Sequence, residues 1–210
     1  TRLTISFMKL TSKFEWRIFW KLKFWKNIEI HSLLEKQTDI KLVREIDYYF
    51  IDEYLPHIIK LRENYFSIKI KIYEKDGWNV FTKKKNYDFP IHNTFLQYFF
   101  PLSCSQEQTF HSAKELRSYL KNNSTSLCIG VEKEKQEAIF SSQLGQKIKI
   151  ELTKLKVNKR TFYSLCMESF KKDDLIPIVS QVNTKNGMIC NYSQFLSKNS
   201  GMQNRKKRKT

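Results

Sequence analysis

The sequence predicts an α+β fold: a core with a small mixed or antiparallel sheet, extended by a basic N-terminal arm and a polar, basic C-terminal tail. Three observations carry this. Residues 127–157 read as strand, loop, helix and strand in succession, residues 66–82 read as a hairpin, and residues 32–56 place apolar side chains at helical spacing. The organisation that follows is an arm over 1–31, a core over 32–182 and a tail over 183–210. Within the core, 86–126 is an insertion or connecting region and 127–170 the central unit.

In the arm, Arg2, Lys9, Lys13, Arg17, Lys21, Lys23 and Lys26 alternate with Phe7, Phe14, Trp16, Phe19, Trp20, Phe24 and Trp25, and Glu15 is the lone acid before residue 27. Cations neutralise phosphates and rings stack on unpaired bases, so the mixture suits RNA. An amphipathic surface helix, or an arm docked on the core, would use the same residues. Ser32 precedes Glu35 at capping-box spacing, and Ile40, Val43, Ile46, Phe50 and Tyr54 then recur every three or four residues up to Pro56. The other side of that predicted helix carries Asp39, Glu45, Asp47, Asp52 and Glu53, a solvated face or a docking surface for a basic neighbour.

Phe66, Ile68, Ile70 and Ile72 alternate with Ser67, Lys69, Lys71 and Tyr73, the period of a strand with one buried face. Asp76-Gly77 supplies the positive φ of a type I′ turn, and Trp78–Thr82 returns as the partner strand. Lys83, Lys84 and Lys85 leave the hairpin as cations that can meet phosphate. Ser112 and Glu115 open a helix in the connecting region. In the central unit a short apolar run ends at Gly130, residues 134–144 form a helix closed by Gly145, and Ile148, Ile150 and Leu152 alternate with Lys147, Lys149 and Glu151. Residues 160–170 read as a further helix through Phe162, Leu165, Cys166 and Phe170. The tail ends in Arg205, Lys206, Lys207, Arg208 and Lys209, a run that gains order by threading into folded RNA, or that serves as a nuclear-import signal or a frayed end.

Thirty lysines against 8 arginines, with 20 Ile, 16 Phe and 13 Asn but only 2 Ala and 5 Gly, favour residues with A/T-rich codons and point to an AT-rich genome such as an organellar one. Codon bias does not account for 38 basic against 21 acidic residues, and a formal charge of +17 attracts polyanions, nucleic acid first among them. An anionic membrane surface is the competing partner. Cys104, Cys128, Cys166 and Cys190 form no CxxC and the four histidines no paired spacing, so neither a metal nor a cofactor is expected. No apolar run approaches the ~20 residues of a membrane span, so no integral membrane insertion is expected.

At Ile129-Gly130 and Gly145-Gln146-Lys147 the chain resembles a KH-type RNA-binding unit, specifically the KH-bearing small-subunit ribosomal protein three family. The resemblance implies a KH-like α/β core with rRNA and neighbouring ribosomal proteins as partners. With the AT-rich composition it implies a ribosome of the mitochondrial matrix. It places Gly130 and Lys133 at the ends of the backbone-clamping loop, with Lys133 standing where the family has its second glycine, and Lys147 and Lys149 on the strand beyond. No match to that family's second domain follows.

The chain has no GxxxxGK[ST], GxSxG or HExxH, so no catalytic residue, no enzyme activity and no small-molecule substrate are expected. Glu29-Ile30-His31, Lys60-Leu61-Arg62, Lys133, Lys135 and Glu168 nevertheless resemble parts of the CYTH, or triphosphate-tunnel, family. That resemblance implies Lys and Arg facing one another across a bound triphosphate, and Glu carboxylates around a divalent metal. The family's ExExK falls on Asn27, Glu29 and His31, so one acid and the lysine are missing. The leading expectation is an rRNA-binding constituent of the mitochondrial small subunit with no chemical step. The alternative is a triphosphate-tunnel, metal-dependent phosphohydrolase or a catalytically inactive relative.

Overall fold

The structure is a computed structural model that describes residues 12–21, 40–52, 57–82, 84–100, 102, 107–142 and 145–199. Eight antiparallel strands form its wall: β1 (Ser12–Lys21), β2 (Lys41–Ile51), β3 (His57–Leu61), β4 (Tyr65–Lys75), β5 (Trp78–Thr82), β9 (Leu127–Ser141), β10 (Lys147–Val157) and β11 (Arg160–Ser169). They follow the order β11-β10-β9-β2-β3-β4-β5-β1, and β1 pairs back onto β11 from Phe14 opposite Ser169 to Lys21 opposite Phe162. The sheet is therefore a closed barrel with no free edge among these eight strands, which replaces the expected KH-like α+β core. Shorter elements decorate it: β6 (Lys85–Asp88), β7 (Ile91–His92), α1 (Asn93–Leu96), β8 (Thr109–Phe110), α2 (Ala113–Asn123), α3 (Ile176–Val179), β12 (Met188–Ile189) and α4 (Tyr192–Asn199).

Two apolar layers lie outside the wall and one lies within it. Trp16, Ile18 and Trp20 of β1 pack with Ile148, Ile150 and Leu152 of β10 under Leu175 and Val182. Phe50, Ile59, Leu61, Phe66 and Ile68 pack under Leu96, Phe110, Leu116 and Leu120 from α1, β8 and α2. Inside, Phe19, Tyr49, Val131, Leu155 and Phe162 meet Tyr192, Phe195 and Leu196 of α4, which closes one end of the barrel. Phe19 stacks on Phe195 at 3.9 Å between ring centroids, and Phe162 meets the same ring edge-on at 5.0 Å. A reciprocal capping box fixes the start of α4: Gln194 N–H donates to Asn191 Oδ1 at 3.0 Å and Asn191 N–H to Gln194 Oε1 at 2.9 Å.

Three segments expected as helices are strands. Residues 41–51 form β2, residues 127–141 form β9 and residues 160–169 form β11. The physical reason is common to all three: their inward faces carry charge as well as apolar groups, so the period of two is invisible to a hydrophobicity count. Gly130 consequently lies within β9, opposite Tyr48 of β2, and no backbone-clamping loop exists there. Gly145, with φ +74°, turns the chain between β9 and β10 instead of ending a helix. The hairpin at Asp76-Gly77, both with positive φ, the strand at 147–157 and the helix capped by Ser112 form where the sequence places them. No helix among the described residues is long and apolar enough to cross a membrane.

Candidate functional site: a charged barrel interior

Alternate residues of each strand point inward, and beyond the aromatic floor those positions are charged. Glu15 and Arg17 come from β1, Glu45 and Asp47 from β2, and Lys60 with Arg62 from β3 and the residue following it. Lys69 comes from β4, Lys133, Lys135 and Glu137 from β9, Lys149 and Glu151 from β10, and Glu168 from β11. They enclose a cavity of about 480 Å³ whose lining holds ten lysine and arginine side chains against five glutamates. Eight-stranded barrels have an interior wide enough for one small ligand, and this one is lined for an anion.

Asp47, fully buried, is the centre of one cluster. Its carboxylate accepts from Lys133 Nζ at 2.7 Å, from Lys60 Nζ at 3.2 Å and from Arg62, which also pairs with Glu45. Burial alone would raise the Asp47 carboxyl, but Lys133, Lys60 and Arg62 overcome it and hold it well below the usual carboxylate range. Burial and the nearby Lys133 push Lys60 well below the ordinary lysine value in spite of Asp47. Three cations thus converge on Asp47, with Glu45 serving Arg62 besides, and the ammonium of Lys60 is short of negative charge.

A second cluster gathers around Lys69, whose ammonium pairs with Glu15 and, at 3.0 Å, with Glu168. Burial opposes ionisation of Glu168, yet Lys69 brings its carboxyl down to about 2. The carboxylates of Glu15 and Glu168 and the Cys166 thiol offer ligand atoms within 4.8 Å of one another. Burial pushes the Cys166 thiol up, well above its ordinary value. Arg17 links the clusters to the wall, donating to Glu15 at 3.2 Å, Glu151 at 3.3 Å and Ser164 Oγ at 3.4 Å.

A wider groove of about 1220 Å³ lies outside the wall beside α2. Its Arg44, Glu134 and Lys154 form exposed pairs at 3.8 and 3.4 Å that water screens, whereas the interior charges are dehydrated and act at full strength.

The structure divides the sequence-predicted residues. Of those expected to bind RNA, Lys13, Arg17, Lys84, Lys133 and Lys149 line the cavity, while Lys21, Lys85, Gly130 and Lys147 face solvent. Arg2, Lys9, Lys23, Lys26, Lys83, Arg205, Lys206, Lys207, Arg208 and Lys209 lie outside the described residues. Of the triphosphate-tunnel set, Lys60, Arg62, Lys133, Lys135 and Glu168 do converge on one cavity. Glu29 and His31 lie outside the described residues. Glu15 and Arg17 on β1 line the cavity, with Lys13 two positions before Glu15. Sequence reasoning missed Glu15, Glu45, Asp47, Glu137 and Glu151. The alternation Lys13, Glu15, Arg17 was the available signal.

The expectation of a chain without a chemical site gives way here to a charged cavity, whose dehydrated groups cost a purely structural barrel more than apolar packing would. The rRNA, ribosomal-protein and mitochondrial expectations are carried by composition and the KH resemblance alone.

The chain matches no protein-family model, and no curated protein matches it in sequence. Among solved structures it is similar to that of HpAC1 from Hippeastrum, a proposed adenylyl cyclase described as having a dominant triphosphatase activity. Sequence identity is 13%, the match covers 90% of this chain and 96% of that one, and the TM-score is 0.45.

Proposed function

We propose that the barrel binds a triphosphate-bearing substrate within its cavity and hydrolyses a phosphoanhydride bond with the help of a divalent cation. The observation that carries this reading is the unbalanced interior: ten cationic side chains line one space against five glutamates and the buried Asp47 behind them, and Lys60 is short of negative charge there. A triphosphate carries several negative charges in a row and corrects that imbalance. Arg62 follows β3, Lys133 and Lys135 stand on β9 and Lys149 on β10, so they meet the phosphate oxygens from several sides.

Hydrolysis forms a bond from a water oxygen to the terminal phosphorus as the bridging P–O bond breaks, and the departing proton goes to solvent or to the released phosphate. Charge spreads over the phosphoryl oxygens as this happens, and fixed buried cations stabilise it without reorganising. Glu15, Glu168 and Cys166 are the residues that would hold a metal. Their fit to a hard divalent cation rests on the two carboxylates, which converge on the ammonium of Lys69 that such a cation would replace, whereas the Cys166 thiol, pushed up by burial, would add a ligand only on losing its proton to the metal. A bound divalent cation supplies neutralisation of phosphate charge.

The test is phosphate release from inorganic tripolyphosphate by the purified chain with Mg²⁺, Mn²⁺ or Zn²⁺, beside Glu168→Gln. The wild type releases phosphate in a metal-dependent manner and the variant loses that release by two or more orders of magnitude. Absence of release from the wild type with every cation overturns the hydrolase reading.

A further inference from the structure

The floor of the cavity holds a polar atom without a partner. Tyr192, the first residue of α4, is 5% exposed and lines the same cavity as the lysines. Its hydroxyl is buried and makes no hydrogen bond among the described residues. The neighbouring phenol differs: Tyr49 OH accepts from Lys133 Nζ at 2.6 Å and donates to Asp47 at 3.4 Å. The two rings stack at 5.0 Å. Lys133 Nζ stands 4.2 Å and the Arg17 guanidinium 4.5 Å from the Tyr192 ring centroid, so the phenol lies among the cations that would meet phosphate.

Below Tyr192 the barrel is shut, because Phe195 and Leu196 fill it against Phe19 and Phe162. A ligand entering the cavity therefore stops at α4. Whichever group leads stops against Tyr192, and a phenol left dry beside cations is a donor that lacks an acceptor.

We propose that Tyr192 is a substrate-binding residue that donates its hydroxyl to the leading, terminal phosphate of the ligand, so that the barrel is a blind pocket selecting free-ended polyphosphates over chains blocked at both ends. This deepens the triphosphate reading and rests on it. Dinucleoside polyphosphates, with a nucleoside at each end, present no free phosphate to the floor, whereas inorganic tripolyphosphate and nucleoside triphosphates do.

The experiment is calorimetric titration of the full chain, wild type and Tyr192→Phe, with inorganic tripolyphosphate and with a dinucleoside tetraphosphate. Phenylalanine keeps the ring stacking and removes only an unbonded hydroxyl, so the variant folds, and its thermal midpoint checks this. Wild type should bind tripolyphosphate, the variant about tenfold more weakly or worse, the loss expected for a hydrogen bond to a charged group. The doubly blocked ligand should bind both proteins weakly and equally. Equal tripolyphosphate affinity in the two proteins would show a phenol served by water and overturn the proposal, as would a doubly blocked ligand that binds as tightly as tripolyphosphate. Failure of the wild type to bind any polyphosphate overturns the underlying triphosphate reading, a different result from an unaffected variant.

Discussion

Replacing Asp47 with asparagine removes the one carboxylate shared by Lys133, Lys60 and Arg62 while keeping the side chain's shape. Breaking a buried ion pair by removing one partner costs about 3–5 kcal/mol, because the other partner stays dehydrated and unpaired. Here Arg62 retains Glu45, and the new amide oxygen still accepts one hydrogen bond, so the lower end, about 3 kcal/mol, applies. In a chain of this length each kcal/mol moves the thermal midpoint by about 2–4 °C, giving a fall of roughly 6–12 °C. Tripolyphosphate restores the missing negative charge and should bind the variant at least tenfold more tightly than the wild type, worth about 1.4 kcal/mol more. At saturating ligand the rise in midpoint is then larger for Asp47→Asn than for the wild type by about 3–6 °C. Differential scanning fluorimetry with and without tripolyphosphate reads both quantities. A variant as stable as the wild type, or one rescued no better by the polyanion, would refute the claim that this cluster lacks negative charge.

Other consequences can be measured independently. Glu168 is held at about 2 against an ordinary 4.5, so the folded state binds this proton less readily than the unfolded chain does. Its contribution is complete above pH 4.5 and is lost as pH falls toward 2, on the order of 3 kcal/mol. Denaturant titrations between those pH values should show that decline, and a flat profile would contradict the pairing with Lys69. Lys60 is pushed well below its ordinary value, and a polyanion reverses that push, so as pH is raised tripolyphosphate binding should come to take up protons. Calorimetry in two buffers of different ionisation enthalpy detects the uptake, and its absence would count against Lys60 as a ligand contact. Phe195→Ala removes the ring stacked on Phe19 and should cost about 3–5 kcal/mol, seen as a lower urea midpoint.

How much of this was legible depended on where the polar face of each strand points. The alternation of Phe66, Ile68, Ile70 and Ile72, and that of Ile148, Ile150 and Leu152, was readable because apolar residues recur every second position against mostly polar ones. The basic face of β10 lines the cavity with Lys149. In β9, Lys133, Lys135 and Glu137 face inward while Glu132, Glu134 and Gln136 face outward. Charge on both faces erased the period and left a helix-like composition. In β2 the inward Glu45 and Asp47 fit equally the solvated or docking side of a helix when read from sequence. The resemblance to the triphosphate-tunnel family singled out Lys60, Arg62, Lys133, Lys135 and Glu168, which line the cavity, while its Glu29 and His31 lie outside the described residues. The aromatic residues of β1 pack on its outer face at Trp16, Ile18 and Trp20, and leave Glu15 and Arg17 to the cavity on the other. The plug α4 was lost in a polar tail. Asn191 and Gln194 at capping spacing, with Tyr192, Phe195 and Leu196 on one helical face, were its signal.

The most direct measurement is a crystal structure of the chain grown with tripolyphosphate. The account predicts the anion inside the barrel, its oxygens within hydrogen-bond distance of Lys60, Arg62 and Lys133 and its terminal phosphate toward α4. Tripolyphosphate bound only on the outer basic surface, with the interior ion pairs undisturbed, would contradict it.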